Sequence, residues 1–478
     1  MDHSQDLLSE KGFKKVPLLI VLISGAFATV LNQTLLATAL PHIMRDFNLD
    51  SNVVQWVQSI FMLVNGITIP VTAFLIERFT TRRLFLTALG LFALGTFICV
   101  FSQNFILLLG GRVLQAAGAG IIMPLIQTIL FLIFPVERRG TAMGMFGLVI
   151  GFAPAIGPTL SGWIVEHYPW RSLFYVVLPI VVVDMIVAYF ILKNVTEQKH
   201  TSVDILSILL STFGFGGILY GFSSAGSGGW SSRQVIISIF IGTVSLVWFI
   251  LRQSKLEQPI LRFKVFKFSV FTLTTILGML VFIAVIGGAV ILPIFMQNML
   301  GFSAFESGLM LLPGAVIMGV MNPISGRLFD RFGARWLAIT GLSILTVTTF
   351  MFTHLTTQTT FTYLAVTHAL RMFGVSMVLM PVTTAGLNQL PTHLIPHGTA
   401  MNNTMRQIAG AVGTALLVTV MTDNMLPEQG LSGLIHGVNV SFFVAGISSL
   451  IGLVLAFSIK TEKKKSISDD LLKAQEND

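Results

Sequence analysis

Fourteen apolar runs follow one another along the chain with only short hydrophilic breaks, at about 17–41, 52–76, 84–103, 105–132, 141–165, 172–192, 203–222, 235–251, 269–294, 304–328, 336–354, 359–388, 399–422 and 435–459. About twenty apolar residues is the length at which an α-helix crosses a bilayer core. In lipid an open backbone has no partner, so such runs must be helices. The chain is therefore expected to be an all-α integral membrane protein with fourteen transmembrane helices. Only 10% of its residues are charged, against about 25% in an ordinary soluble domain.

The basic residues test that count. With both termini inside, the 29 Lys and Arg divide as 23 in inside segments, three outside (Arg45, Arg171, Arg233) and three within spans (Arg112, Arg371, Arg406). This is the positive-inside pattern, and it requires an even number of spans. It also accounts for the net charge of +8 with the lipid bilayer as partner, so nucleic acid is not called for. The first apolar run lacks a small-residue cleavage site and is kept as span one rather than a signal peptide. One cysteine, Cys99, leaves no intramolecular disulfide. There is no G-x-x-x-x-G-K-[ST] phosphate loop and no His/Cys/carboxylate cluster at metal spacing, so no cofactor, metal or enzyme activity is expected.

A repeat sets the organisation. Glu77, Arg78 and Arg82 in AFLIERFTTRR return as Asp330, Arg331 and Arg335 in GRLFDRFGAR, which opens at Gly326, an offset of 253. Arg112 with Pro124 returns as Arg371 with Pro381, and GTAM at Gly140 returns at Gly398, offsets of 257 to 259. Two related halves follow: a tail 1–16, a six-helix bundle 17–199, two inserted helices 200–255 without counterpart, a second six-helix bundle 256–460 and a tail 461–478. In each loop the acid is expected to pair with Arg residues of the neighbouring loop or bundle and to release them as the halves rock; a solvated loop that only keeps Arg inside is the plainer alternative. EQPILRFKVFKFSVF, where basic residues alternate with Phe263, Phe266, Phe268 and Phe271, suits a helix lying at the interface with its rings in lipid.

Within the spans, ionisable residues carry the functional candidates, because a charge at membrane depth is costly unless paired or hydrated. Arg112 must face the bundle interior and is a candidate for coupling or gating. Asp184, in IVVVDMIVAYF, is a proton-site candidate, with a hydrogen bond to a neighbouring helix as its other reading. His368, three residues before Arg371, could carry a proton near neutral pH. Glu306 at an outside rim could collect one. Polar residues in line for a substrate cavity are Asn32 and Gln33 in span one, Gln55, Gln58 and Asn65 in span two, Gln115 in span four, Gln297 after span nine, and Arg371, Asn402 and Arg406 in spans twelve and thirteen; packing between helices accounts for such residues equally. Met143 and Phe146 would add deformable apolar wall. Span five, with Gly147, Gly151, Gly157 and Gly162 and the prolines Pro154 and Pro158, forms a kinked, small-residue seam.

Taken in order, these motifs resemble the fourteen-span drug:proton antiporters of the major facilitator superfamily over almost the whole chain. The Glu77 and Asp330 loops are similar to its cytoplasmic signature, RVLQAAGAG at Arg112 to its fourth-span motif, and GFAPAIGPTLSG to its fifth-span antiporter motif. LNQTLLATALP, WRSLFYVVLP, EQPILRFKVF and NNTMRQIAGAVG resemble segments of the fourteen-span branch, nearest its lincomycin-resistance-type exporters. The resemblance implies a monomeric multidrug exporter of the bacterial cytoplasmic membrane, with amphipathic drugs and protons as its small-molecule partners and alternating access as its mechanism. Many relatives carry an Asp in span one where this chain has Asn32, so cationic substrates are not implied. An exporter of a native lipid or metabolite shares these motifs.

Overall fold

The computed structural model describes residues 15–36, 39–199 and 203–459; the tails and Thr38 of LNQTLLATALP lie outside them. Fourteen helices among these residues are long and apolar enough to cross a membrane. They are α1 (Lys15–Leu35), α2 (Trp56–Arg78), α3 (Thr81–Val100), α4 (Phe105–Ile133), α5 (Arg139–His167), α6 (Ser172–Ile191), α7 (Ile205–Gly228), α8 (Arg233–Lys255), α9 (Ser269–Ile294), α10 (Ala304–Phe332), α11 (Ala334–Met351), α12 (Phe361–Asn388), α13 (Ile395–Asp423) and α14 (Gly430–Ala456).

Local signals fix several starts. Asn104 Oδ1 accepts the Leu107 N–H at 2.8 Å to open α4, and Asp204 and Thr360 cap α7 and α12 in the same way. At α10 a capping box forms: the Ser303 hydroxyl accepts the Glu306 N–H at 3.1 Å while the Glu306 carboxylate accepts the Ser303 N–H at 2.8 Å. The exposed Glu306 thus serves a helix terminus. Between α10 and α11 the turn is made at Gly333, whose φ of 77° lies in the left-handed region. Past Pro293, α9 continues as one π-helical turn, Phe295–Met299, which carries Gln297 into an exposed position.

The helix pairings repeat between the halves. In the first, α3 packs on α4, α2 on α4, α1 on α5 and α6, and α3 on α6; in the second the same pairings recur as α11 on α12, α10 on α12, α9 on α13 and α14, and α11 on α14. Contacts across the middle obey the same symmetry: α5 meets α10 as α13 meets α2, and α4 meets α13 as α12 meets α5. The hairpin α7/α8 breaks it. Helix α7 packs on both α2 and α13, with Trp56 stacked on Tyr220 and Trp230 Nε1 donating to Thr419 Oγ1 at 2.8 Å.

One expectation needs correction. The segment after α8 is a single 3₁₀ turn, Phe263–Lys267, rather than an interfacial helix. Its rings turn inward, Phe263 onto Phe249 of α8 and Phe266 onto the fully buried Phe271 of α9.

Candidate functional site

The Glu77 and Asp330 loops, Arg138 and Arg139, and residues 252–267 lie together at one end of the bundle, here the basic end. There the halves are fastened by polar contacts. Asp330, at the end of α10, accepts the N–H groups of Gly140 and Thr141 at 2.8 Å each and the Thr141 hydroxyl at 2.6 Å. These are free donors of the first turn of α5, so a carboxylate from one half caps a helix of the other, at the positive end of its dipole.

The related place in the other pairing is built differently. Glu77, at the end of α2, is 6% exposed and receives His397 Nε2 at 3.3 Å and Lys199 Nζ at 3.2 Å. The first turn of α13 contains Pro396, which has no N–H to give; the buried His397 side chain supplies the donor instead. The Arg262 N–H donates to His397 Nδ1 at 3.3 Å. With Nδ1 an acceptor, the proton sits on Nε2 and points at Glu77.

The expectation that each acid pairs with Arg residues of the neighbouring loop or bundle is therefore corrected. The acids hold a helix start and a histidine, and the arginines stack on rings: Arg82 over Tyr189 at 4.1 Å, Arg331 over Phe332 at 5.1 Å and Arg78 over Phe74 at 5.8 Å. Arg335 is half-buried, with Nε unpartnered. Guanidinium groups at an interface gain from a ring face without losing water.

Further contacts carry the seam inward. Arg139 Nη1 donates to Asn388 Oδ1 at 3.0 Å, and the Thr128 and Thr399 hydroxyls meet at 2.8 Å. Asn322 Nδ2 of α10 donates to the Gly147 carbonyl of α5 at 2.6 Å. The two backbones nearly touch: Gly326 faces Gly140, and a Cβ on Gly144 would stand 2.5 Å from the Asn322 carbonyl oxygen. Gly151 meets Gly319 about midway along α5. Beyond it α5 passes Pro154, which is exposed, and turns to its own half, Gly157 seating on Thr34 of α1. Pro158 is half-buried, and Gly162 has open space where a side chain would be.

At mid-depth a chain of amides crosses from α2 and α4 to α13. Gln407 Nε2 donates to Asn65 Oδ1 at 3.3 Å, and Asn403 Nδ2 donates to Gln127 Oε1 at 2.7 Å. Arg406, 6% exposed, gives Nη2 to Asn403 Oδ1 at 3.4 Å. Neighbouring Asn402 is buried with its carbonyl oxygen unpartnered. Toward the opposite end Gln33 and Gln58 are half-buried and Gln55 and Gln297 are exposed, whereas Asn32 is 1% exposed. Met143 and Phe146 are wholly enclosed by packing.

The remaining ionisable candidates sit inside one half or the other. Arg112 has no exposed surface: Nε donates to the Val57 carbonyl at 3.0 Å, Nη1 to Gln115 Oε1 at 2.9 Å, and the guanidinium lies 4.3 Å from the Phe61 ring. Gln115 passes the network on to Thr96 at 2.8 Å. Arg371 mirrors it, with Nε on Thr349 Oγ1 at 3.2 Å and Nη2 on the Ala284 carbonyl. His368 is buried against Gly314 with Nδ1 unpartnered. Asp184 is 5% exposed on α6 and turned to α1, where the Ser24 hydroxyl donates to Oδ1 while Oδ2 has no partner. No cation faces it among the described residues.

Two helical halves that repeat each other's pairings and meet at one end over glycine contacts and polar bonds have the architecture of a membrane transporter. The chain belongs to the Major Facilitator Superfamily, whose model matches residues 22–414. It is 55% identical to the Uncharacterized MFS-type transporter YcnB of Bacillus subtilis (strain 168), over 96% of this chain and 98% of that one. With Lincomycin resistance protein LmrB of the same organism the identity is 41%, covering 94% and 97%. The solved structure of the human organic anion transporter MFSD10 superposes with a TM-score of 0.69 at 13% identity, over 93% of this chain and 99% of that one.

Proposed function

We propose that the chain exports amphipathic antibiotics of the lincosamide kind and other toxic compounds across the bacterial cytoplasmic membrane, driven by proton entry. The observation that carries the reading is the seam: at the basic end it is closed by contacts that separate without breaking either half, and polar residues line its inner and opposite parts. Likeness to LmrB along the whole chain supports the substrate class. By the positive-inside rule the basic end is cytoplasmic, so the contacts between the halves close the cytoplasmic end in this state.

Asp184 is the site proposed for the coupling proton, as a buried acid whose only described partner is a neutral hydroxyl. Its place between α1 and α6 puts it beside, rather than in, the seam. A proton there would act on α1, and through the Gly157 contact on α5. Proteoliposomes holding the purified chain under an imposed pH gradient test both claims. Lincomycin or a dye should collapse the gradient with wild type and not with Asp184→Asn. Equal responses would remove Asp184 from the coupling, and a gradient that no drug disturbs would turn the reading to a native lipid or metabolite.

A further inference from the structure

We infer that Arg406 is an anchor for the acidic group of organic anions, so that the junction of α13 with α2 and α4 accepts anionic amphipaths as a distinct substrate class. The inference deepens the export reading above and rests on it. A guanidinium taken out of water costs several kcal/mol unless it is paired. Arg406 is 94% buried by its 6% exposure, and its described bond is a single long one to Asn403. No carboxylate lies within ion-pair distance of it among the described residues. Four acids of the helices are engaged elsewhere, Asp184 on Ser24, Glu77 on His397 and Lys199, Asp330 on the start of α5 and Glu306 in its capping box, and Glu166 and Asp423 lie at the far ends of α5 and α13.

Two enclosed groups near it lack partners, the Asn402 carbonyl oxygen one turn before it on α13 and the Gln127 amide nitrogen. Asn403 spends its amide hydrogens on Gln127 Oε1 and the Thr399 carbonyl, and its oxygen on Arg406. That leaves Gln127 Nε2 enclosed with no acceptor, on the same amide chain as the guanidinium. A group with two acceptor oxygens and a negative charge is the complement of such a set. Arg112 Nη2 and Arg371 Nη1 are likewise buried without a partner, so what sets Arg406 apart is its place between the halves. Arg112 and Arg371 have no exposed surface and each lies within one half, against backbone carbonyls of its own bundle. Arg406 stands on α13 where it meets α2 and α4, about 16 Å from the start of its helix at 1.5 Å per residue. An anion bound there would sit at the junction that must part for the cytoplasmic side to open.

The test uses the full chain in phosphatidylcholine nanodiscs, with fluorescein as the anionic probe and rhodamine 6G, a cationic ester of the same ring system, as its control. Binding is read by fluorescence anisotropy against empty nanodiscs. Wild type should bind fluorescein, Arg406→Gln should weaken it at least tenfold with rhodamine 6G changed less than twofold, and Arg406→Lys should restore part of the loss. Adding phosphatidylglycerol separates a drug from a lipid headgroup as the natural source: competition with fluorescein in wild type but not in Arg406→Gln supports the site and makes the lipid its ligand. The inference is overturned if wild type does not bind fluorescein, if Arg406→Gln binds it within twofold of wild type, or if both dyes weaken together. Failure of rhodamine 6G export in proteoliposomes alongside Arg406-dependent fluorescein binding would instead count against the export reading and leave the anion site standing.

Discussion

Replacing Asp330 by Asn isolates the bond between a carboxylate of one half and a helix start of the other. The side chain keeps its size, but one of the two accepting oxygens becomes a donor facing N–H groups. Three hydrogen bonds at 2.6 to 2.8 Å end on that carboxylate, and bonds to a charged group are worth about 1.5–3 kcal/mol each. Asn can hold the pair on one oxygen and not the third, and it gives up the charge at the α5 dipole, so the net loss is about 1.5–3 kcal/mol. At 1.4 kcal/mol per factor of ten this moves the equilibrium from closed to open at the basic end by about 10- to 150-fold. Spin labels on Arg83→Cys and Trp336→Cys, both exposed at the starts of α3 and α11, report the separation of the halves by dipolar distance measurement. Cys99 is buried and does not compete for label. Asp330→Asn should add a longer distance to the distribution. A distribution unchanged from the parent would refute the idea that this bond holds the end shut.

Removal of the histidine at the second latch, His397→Ala, should add the same longer distance, and since the two latches lie on different helix pairs their energies should add in the double variant within about 0.5 kcal/mol. Gly144→Val puts branched carbon against the α10 backbone, so export should be lost and the label distance lengthened while the chain still inserts and folds. At the far end of the molecule Asp46 accepts Arg171 Nη1 at 2.7 Å and Trp170 Nε1 at 3.0 Å, bonds that hold its carboxyl below the usual carboxylate range, the arginine bond first. Its stabilisation is then full above about pH 4 and is lost as pH falls through the lowered value. The difference in Tm between wild type and Asp46→Asn should accordingly be constant from about pH 7 to 5 and shrink below about 4.

Length and apolarity made the fourteen helices legible in the sequence, because a lipid-spanning segment must satisfy its own backbone and so announces itself in one dimension; the family showed only through the resemblance of the ordered motifs. The site was legible in patches. Arg112 and Arg371 showed as charges with no business in lipid, and the glycines of α5 as places where another backbone comes close. What escaped were partners whose identity depends on tertiary approach: His397, Asn322, Gln127 and Asn403 are ordinary residues until α13 and α10 bring them to α4 and α5. The repeated GTAM was the available signal, since Gly140 lies in the opening turn of α5, whose free N–H groups meet Asp330, and Gly398 directly follows the His397 that meets Glu77.

The α7/α8 hairpin sits over one seam and not its symmetry mate. By touching both α2 and α13 it covers that edge of the junction between the halves, whereas the edge between α5 and α10 carries no such hairpin. Solutes dissolved in the bilayer then have a single sideways approach to the interior instead of two. Transport by a fold with internal twofold symmetry thereby acquires a front and a back.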